Sequence, residues 1–94
     1  IEELSGYFTN VANSSSARFQ GILNHLASLT ATLTTVEGND EVAAIDKRLI
    51  ERAAFIKGNA ERSENNIDHN AEKFEELLKE RESVVARIND NASN

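Results

Sequence analysis

Apolar residues recur along the first part of the chain in steps of three and four positions. The recurring residues are Ile1, Leu4, Phe8, Val11, Phe19, Ile22, Leu26, Leu29, Leu33 and Val36. Alternating steps of this size place side chains on one face of a helix and are typical of a coiled coil. One double step of four, from Val11 through Ser15 to Phe19, locally unwinds such a coil. The pattern predicts a first helix over about residues 1–37.

The second part of the chain resumes the pattern after a short polar stretch. Its positions are Val42, Ile45, Leu49, Ala53, Ile56, Ser63, Ile67, Asn70, Phe74, Leu77, Arg81, Val84 and Ile88. Gly58 and Asn59 interrupt the regularity, so one long helix over about residues 41–91 and a break near residues 58–59 both stay open. Glycine costs a helix only about 1 kcal/mol relative to alanine, and the continuous helix is therefore the preferred prediction.

A turn is predicted at residues 38–40, between the two helical segments. Gly38 readily adopts the left-handed conformation that ends a helix, and Asn39 or Asp40 can cap the next one. A short link of this kind joins antiparallel helices. The sequence thus predicts an all-α fold in which residues 1–94 form a single helical domain, a coiled-coil-like antiparallel hairpin of two long helices.

The two predicted helices differ in length. In a hairpin centred on the turn, residues at equal distances face each other, so Leu33 is expected opposite Ile45 and Leu4 opposite Phe74. The residues from Leu78 to Asn94 then form an overhang of about 17 residues with nothing to pack against. Because the overhang keeps apolar positions, we expect it to contact a second copy of the chain, completing a four-helix bundle by dimerisation, or the helices of another protein.

The residues expected to contact a partner lie in the overhang or beside the main apolar stripe near the turn. They are Leu78, Arg81, Val84, Val85 and Ile88 in the first group and Leu23, Ile50 and Phe55 in the second. Polar layers within the core are expected at Ser15, Ser63 and Asn70. Asn70 either fixes the register as a buried amide or marks a solvated stretch, and both interpretations stay open. Arg18 is the only charged residue from Leu4 to Val36, which indicates that neighbours surround the first helix.

Composition narrows the classes of partner. The net charge of -6 argues against nucleic acid, whose phosphates are bound by clustered lysine and arginine. No apolar run approaches the roughly 20 residues that a membrane span needs, so direct membrane insertion by this segment is not expected. The absence of cysteine leaves the compartment open, cytoplasmic or extracytoplasmic. Since the chain begins at Ile1 without a methionine, we expect it to be a piece of a longer protein.

Residues that could carry catalysis are sparse. His25 and His69 are the only histidines, and neither follows a glutamate by three positions, the spacing with which helical bundles bind di-iron. No glycine-rich phosphate loop or nucleophile turn is present. The sequence therefore predicts a protein that is not an enzyme and has no cofactor, metal site or catalytic residue.

Three functions remain as hypotheses. The leading one is a non-enzymatic helical interaction or assembly module, which self-associates, preferably as a dimer, or docks into a larger helical assembly. The alternative is the extracytoplasmic ligand-sensing domain of a membrane signalling receptor, built as a four-helix bundle. A ligand-binding bundle with a polar cleft ranks third, because few aromatic residues are available to line a pocket.

Overall fold

A computed structural model describes residues 1–93 and contains four α-helices. They are α1 (Leu4–Asn13), α2 (Ala17–Thr30), α3 (Asp40–Glu61) and α4 (Ile67–Ser93). The expected all-α class is confirmed, since residues 1–93 contain no strand. The two long helices of the expected hairpin do not form, because each predicted helix is divided in two.

The first predicted helix is interrupted at residues 14–16, where the chain reverses direction. The Ser15 hydroxyl donates a hydrogen bond to the Val11 carbonyl at 2.6 Å, so a side chain satisfies a carbonyl that further helix would have bound. Beyond the turn, the Ser5 hydroxyl of α1 donates to the Ala27 carbonyl of α2 at 2.9 Å. The helices α1 and α2 therefore form a short antiparallel hairpin, and no helix spans residues 1–37.

The second predicted helix is interrupted at residues 62–66, just beyond the irregularity at residues 58–59. Ser63 has a left-handed backbone with φ of 54°. The Glu64 N–H donates to the Asn59 carbonyl at 2.8 Å, a bond across six residues that is typical of a Schellman motif. This motif ends α3 and turns the chain back into α4. The helices α3 and α4 form a second, longer antiparallel hairpin.

The two hairpins pack side by side along an axis of 48 Å. The Lys57 ammonium of α3 lies 5.9 Å from the centre of the Tyr7 ring of α1. His25 of α2 lies 3.2 Å from the Glu75 carboxylate of α4. The helices α1 and α3 run parallel, as do α2 and α4, so the chain alone supplies four helices in up-down-up-down order.

The core lies between the hairpins and takes buried apolar residues from all four helices. Its completely buried residues include Phe8, Leu23, Leu26, Val42, Leu49, Ile56 and Phe74. The Phe8 ring of α1 meets the Phe74 ring of α4 edge to face, with centroids 5.1 Å apart. This packing replaces the expected register, in which Leu4 faced Phe74. It also removes Leu23 from the surface at which a partner was expected.

Residues 31–39, which we call the strap, connect α2 to α3 without forming a helix. Gly38 has φ of 68°, and the Asn39 side chain accepts a hydrogen bond from the Val42 N–H at 3.0 Å. These two residues end the strap and begin α3 as the sequence indicates, because a left-handed glycine and an N-cap depend on local geometry. The predicted turn at residues 38–40 is therefore only the last part of a longer connection.

The expected overhang has partners within the chain. Near one end of the α3–α4 hairpin, Arg87 of α4 forms an exposed ion pair with Glu41 of α3 at 2.5 Å. Val84 is buried, and Ile88 is partly buried against the core. Val84 and Ile88 of the expected overhang therefore pack within the chain, whereas other residues of the overhang remain at the surface. Asn94, the last residue of the expected overhang, lies outside the described residues.

Candidate interaction surface

An open groove of about 630 Å³ separates α4 from the end of α2 and the strap. Its large apolar lining residues are Leu29, Leu33, Leu78 and Val85, with Ala86 beside them. Leu29 is 38 % exposed, and the other three large residues are half-buried. Apolar surface that stays open to solvent on a small protein is a candidate binding surface. We call this surface the α2–α4 groove.

The overhang residues expected to bind a partner fall into two sets. Leu78, Arg81 and Val85 line the α2–α4 groove and lie close enough together to act on one occupant. Val84 belongs to the buried core, and Ile88 packs against the core without lining the groove. Leu78 and Val85 also pack against the core, but part of each side chain lines the groove. The division follows helical geometry, because residues seven apart share a face while their neighbours point elsewhere.

The expected second apolar face near the turn does not form as one surface. Ile50 and Phe55 are 52 % and 60 % exposed. They are five positions apart on α3, which places them about 140° apart around its axis. Ile50 lines a cleft of about 340 Å³ with Leu4 and Tyr7 of α1. Phe55 lines a separate, more charged cleft of about 300 Å³ between α3 and α4.

Arg81, which was expected to have no partner in the chain, is held by two neighbouring elements. Its Nε donates to the Asp46 carboxylate of α3 at 2.6 Å, and its Nη2 donates to the Thr34 carbonyl of the strap at 2.7 Å. The side chains of Arg81 and Asp46 are only 6 % and 18 % exposed. Removing one member of a buried ion pair leaves the other without compensation, which typically costs about 3–5 kcal/mol.

Asn70 belongs to a buried polar network near the α3–α4 turn. Its side-chain amide nitrogen donates to Oδ1 of the Asn59 side chain at 2.5 Å, and its own Oδ1 accepts from Arg52 at 2.9 Å. Asn59 in turn donates to Glu64 at 3.3 Å. Arg62 also donates to Glu64, and this hydrogen bond lowers the pKa of the Glu64 carboxyl below its ordinary value of 4.5. Because buried amides need partners, the network favours one register of α4 against α3.

The other two expected polar layers lie in turns instead of the core. Ser15 is half-buried in the α1–α2 turn, and Ser63 is exposed in the α3–α4 turn. Both serines occupy chain reversals, but in different ways. The Ser15 hydroxyl satisfies the Val11 carbonyl. Ser63 takes the left-handed backbone conformation that ends α3.

Several contributors to these contacts were not identified from the sequence. Asn59 appeared only as a loss of regularity, and Asp46 gave no signal beyond being a carboxylate near an apolar stripe. Arg81 was expected to lie in an overhang without a partner in the chain, but its acidic partner Asp46 lies 35 positions away in the chain. Spacing along one helix does not reveal which residue of another helix faces it.

The two histidines lie on different helices, His25 on α2 and His69 on α4, and His25 lies 3.2 Å from the Glu75 carboxylate. His25 and His69 are both exposed. Within residues 1–93, no three or more His, Cys, Asp or Glu side chains cluster in a way that could hold a metal ion. Over the same residues, no helix combines the length and apolar character needed to cross a bilayer.

Comparison with known proteins indicates no function for this chain, so any function has to be inferred from the geometry of the α2–α4 groove. No protein-family model, curated protein or solved structure matched this chain.

Proposed function

We propose that this chain is a non-enzymatic helical interaction module that associates with a second copy of itself, or docks onto partner helices, through the α2–α4 groove. The observation that carries the proposal is the open apolar lining formed by Leu29, Leu33, Leu78 and Val85. A helix that presents an apolar stripe fits a groove of this form.

The borders of the groove support specific association. Lys79 and Glu82 of α4 line the groove together with the uncharged Thr32 and Thr34. A mixture of charged and neutral residues around an apolar centre is the usual composition of a protein–protein interface. Charges at such a rim mainly affect the rate and specificity of association, so the apolar centre is expected to supply most of the affinity.

The proposal is tested by sedimentation equilibrium on residues 1–94 from about 1 μM to about 1 mM. The double variant Leu78→Ser/Val85→Ser removes two apolar side chains from the groove. If each half-buried side chain contributes about 1 kcal/mol to association, the dissociation constant should rise by roughly tenfold or more. Thermal unfolding, monitored by circular dichroism, verifies that the variant still folds.

A matched control is available on α3. The variant Ile50→Ser/Phe55→Ser also removes two exposed apolar side chains, but both lie outside the groove. Its dissociation constant should equal that of the parent. Equal weakening by both double variants would refute a role specific to the groove. A parent that remains monomeric throughout would refute self-association, leaving docking onto a different protein.

A second candidate is a ligand-sensing four-helix domain, which in a membrane receptor would lie outside the cytoplasm. The volume of the groove favours it, since sites for small molecules usually measure about 300–1,000 Å³. In this role the unfolding temperature of the parent should rise saturably with one member of a metabolite panel. The rise should disappear in Leu78→Ser/Val85→Ser and persist in Ile50→Ser/Phe55→Ser.

A further inference from the structure

The strap, residues 31–39, covers the part of the α3–α4 hairpin that α1 and α2 do not reach. Leu33 and Val36 of the strap are half-buried against the core. A connection of nine residues without helix makes fewer backbone hydrogen bonds than a helix of the same length. Segments of this kind open locally at lower free energy than the helices around them.

Two polar contacts attach the middle of the strap, residues 34 and 35, to other parts of the molecule. Thr34 accepts a hydrogen bond from the buried Arg81 side chain through its carbonyl. Thr35 donates to the Glu2 carboxylate at 3.1 Å, but this contact is exposed and therefore weak. Arg81 is fixed at the same time by Asp46 of α3, so its guanidinium is already oriented toward the strap. The Arg81–Thr34 contact is the stronger attachment.

The strap is incompletely packed against α4. Leu33 and Thr34 form one wall of the α2–α4 groove, and Leu78 and Val85 form the opposite wall. Withdrawal of the strap would remove the first wall and expose more of α4 toward Ile88. A longer apolar face would then be available to an incoming helix.

We propose that the strap is a latch, which Arg81 holds closed over α3 and α4 and which opens to expose a longer apolar face of α4 than the closed α2–α4 groove presents. The guanidinium bridges Asp46 and the Thr34 carbonyl in the closed state. Opening breaks the bond to Thr34 while the ion pair with Asp46 remains, so α3 and α4 stay packed. This inference concerns the mobility of the strap and holds whether or not the chain self-associates.

The latch is tested by native-state proteolysis with thermolysin, which cleaves before large apolar residues. Cleavage before Leu33 and Val36, followed by mass spectrometry, reports opening of the strap. Arg81→Met keeps much of the side-chain volume but removes the bond to Thr34. The initial cleavage rate at these two sites should increase by about tenfold or more, the effect expected when a charged hydrogen bond is lost.

Arg87→Met is the matched control. It removes an arginine from the same helix, but the ion pair of Arg87 is with Glu41 of α3 and is exposed, with side chains 58 % and 56 % accessible. In Arg87→Met, the rate of cleavage within the strap should stay within about twofold of the rate in the parent. An unchanged rate in Arg81→Met, or an equal increase in both variants, would overturn the latch.

A second variant separates opening of the strap from loss of the fold. Asp46→Leu/Arg81→Met replaces the buried ion pair with apolar side chains, which frequently preserves stability. The strap should still be cleaved about tenfold faster than in the parent. Cleavage before Leu49 or Phe74, in the core of α3 and α4, should not change. If core and strap sites accelerate together, unfolding of the whole domain explains the cleavage and the latch is refuted.

Discussion

Replacing Ser63 by glycine should stabilise the protein, although glycine normally weakens helices. Ser63 has φ of 54° and is the one non-glycine residue with positive φ among residues 1–93. A left-handed backbone costs a residue with a side chain about 1–2 kcal/mol, and glycine avoids this cost. Glycine also loses about 0.5–1 kcal/mol through the greater freedom of the unfolded chain. The net expectation is a gain of about 0.5–1 kcal/mol.

The same substitution gives the opposite sign if residues 41–91 form one continuous helix. Inside a helix, glycine is less favourable than serine by roughly 0.5 kcal/mol. Ser28 provides the control, because it is an exposed serine within α2. Ser28→Gly should therefore destabilise the protein by about this amount, while Ser63→Gly stabilises it.

Urea unfolding measures the two variants against the parent. A gain of about 0.5–1 kcal/mol also raises the melting temperature by roughly 2–8 °C in a domain of this size. If Ser63→Gly destabilised the protein as Ser28→Gly is expected to do, the break between α3 and α4 would be refuted. It would restore the long second helix that the spacing of apolar residues predicts.

Two further predictions concern α1. Burial, and secondly the charge of Glu61, raise the pKa of Tyr7 above its ordinary value of 10.0. A titration followed by the absorbance of the phenolate should therefore have its midpoint above 10.0, and Glu61→Gln should lower this midpoint. Because the fold favours the neutral phenol, stability should fall as pH rises past 10.0. A midpoint at or below 10.0 would contradict this placement. Phe8→Leu and Phe74→Leu should show a coupling energy of about 0.5–1.5 kcal/mol in a double-mutant cycle by urea unfolding, whereas additive effects would mean that the rings do not touch.

The spacing of apolar residues predicted helices but not where they end. Val11, Ser15 and Phe19 fit a continuous coiled coil with one irregular turn, yet the chain reverses there. When the chain reverses between two amphipathic helices and both direct their apolar faces to a common core, apolar residues still recur every three or four positions in each helix. The spacing therefore does not reveal the reversal. The break between α3 and α4 falls at residues 62–66. This segment contains no glycine, and Ser63 takes the left-handed conformation that glycine usually adopts at the end of a helix. A sequence signal based on glycine therefore pointed a few residues too early.

The candidate surface was predicted in part. Leu78, Arg81 and Val85 were expected to contact a partner because they fall in the predicted overhang, and in the structure they line the groove. Leu29 and Leu33 complete it but were assigned to the main stripe of the first helix. The opposite wall could not be found from spacing, because it depends on the path of the strap past α4.

The sequence by itself determined the all-α class, the apolar faces of the helices and the start of α3 at Gly38 and Asn39. These features follow from interactions between residues a few positions apart, which any single chain displays. The tertiary structure alone decided the number of helices, the partner of each face and the pairing of Arg81 with Asp46. The apolar face of a helix can be buried against the apolar face of any other helix. The free energy of burial therefore does not specify which two helices pack together. That choice rests on contacts between distant residues, which exist only after the chain has folded.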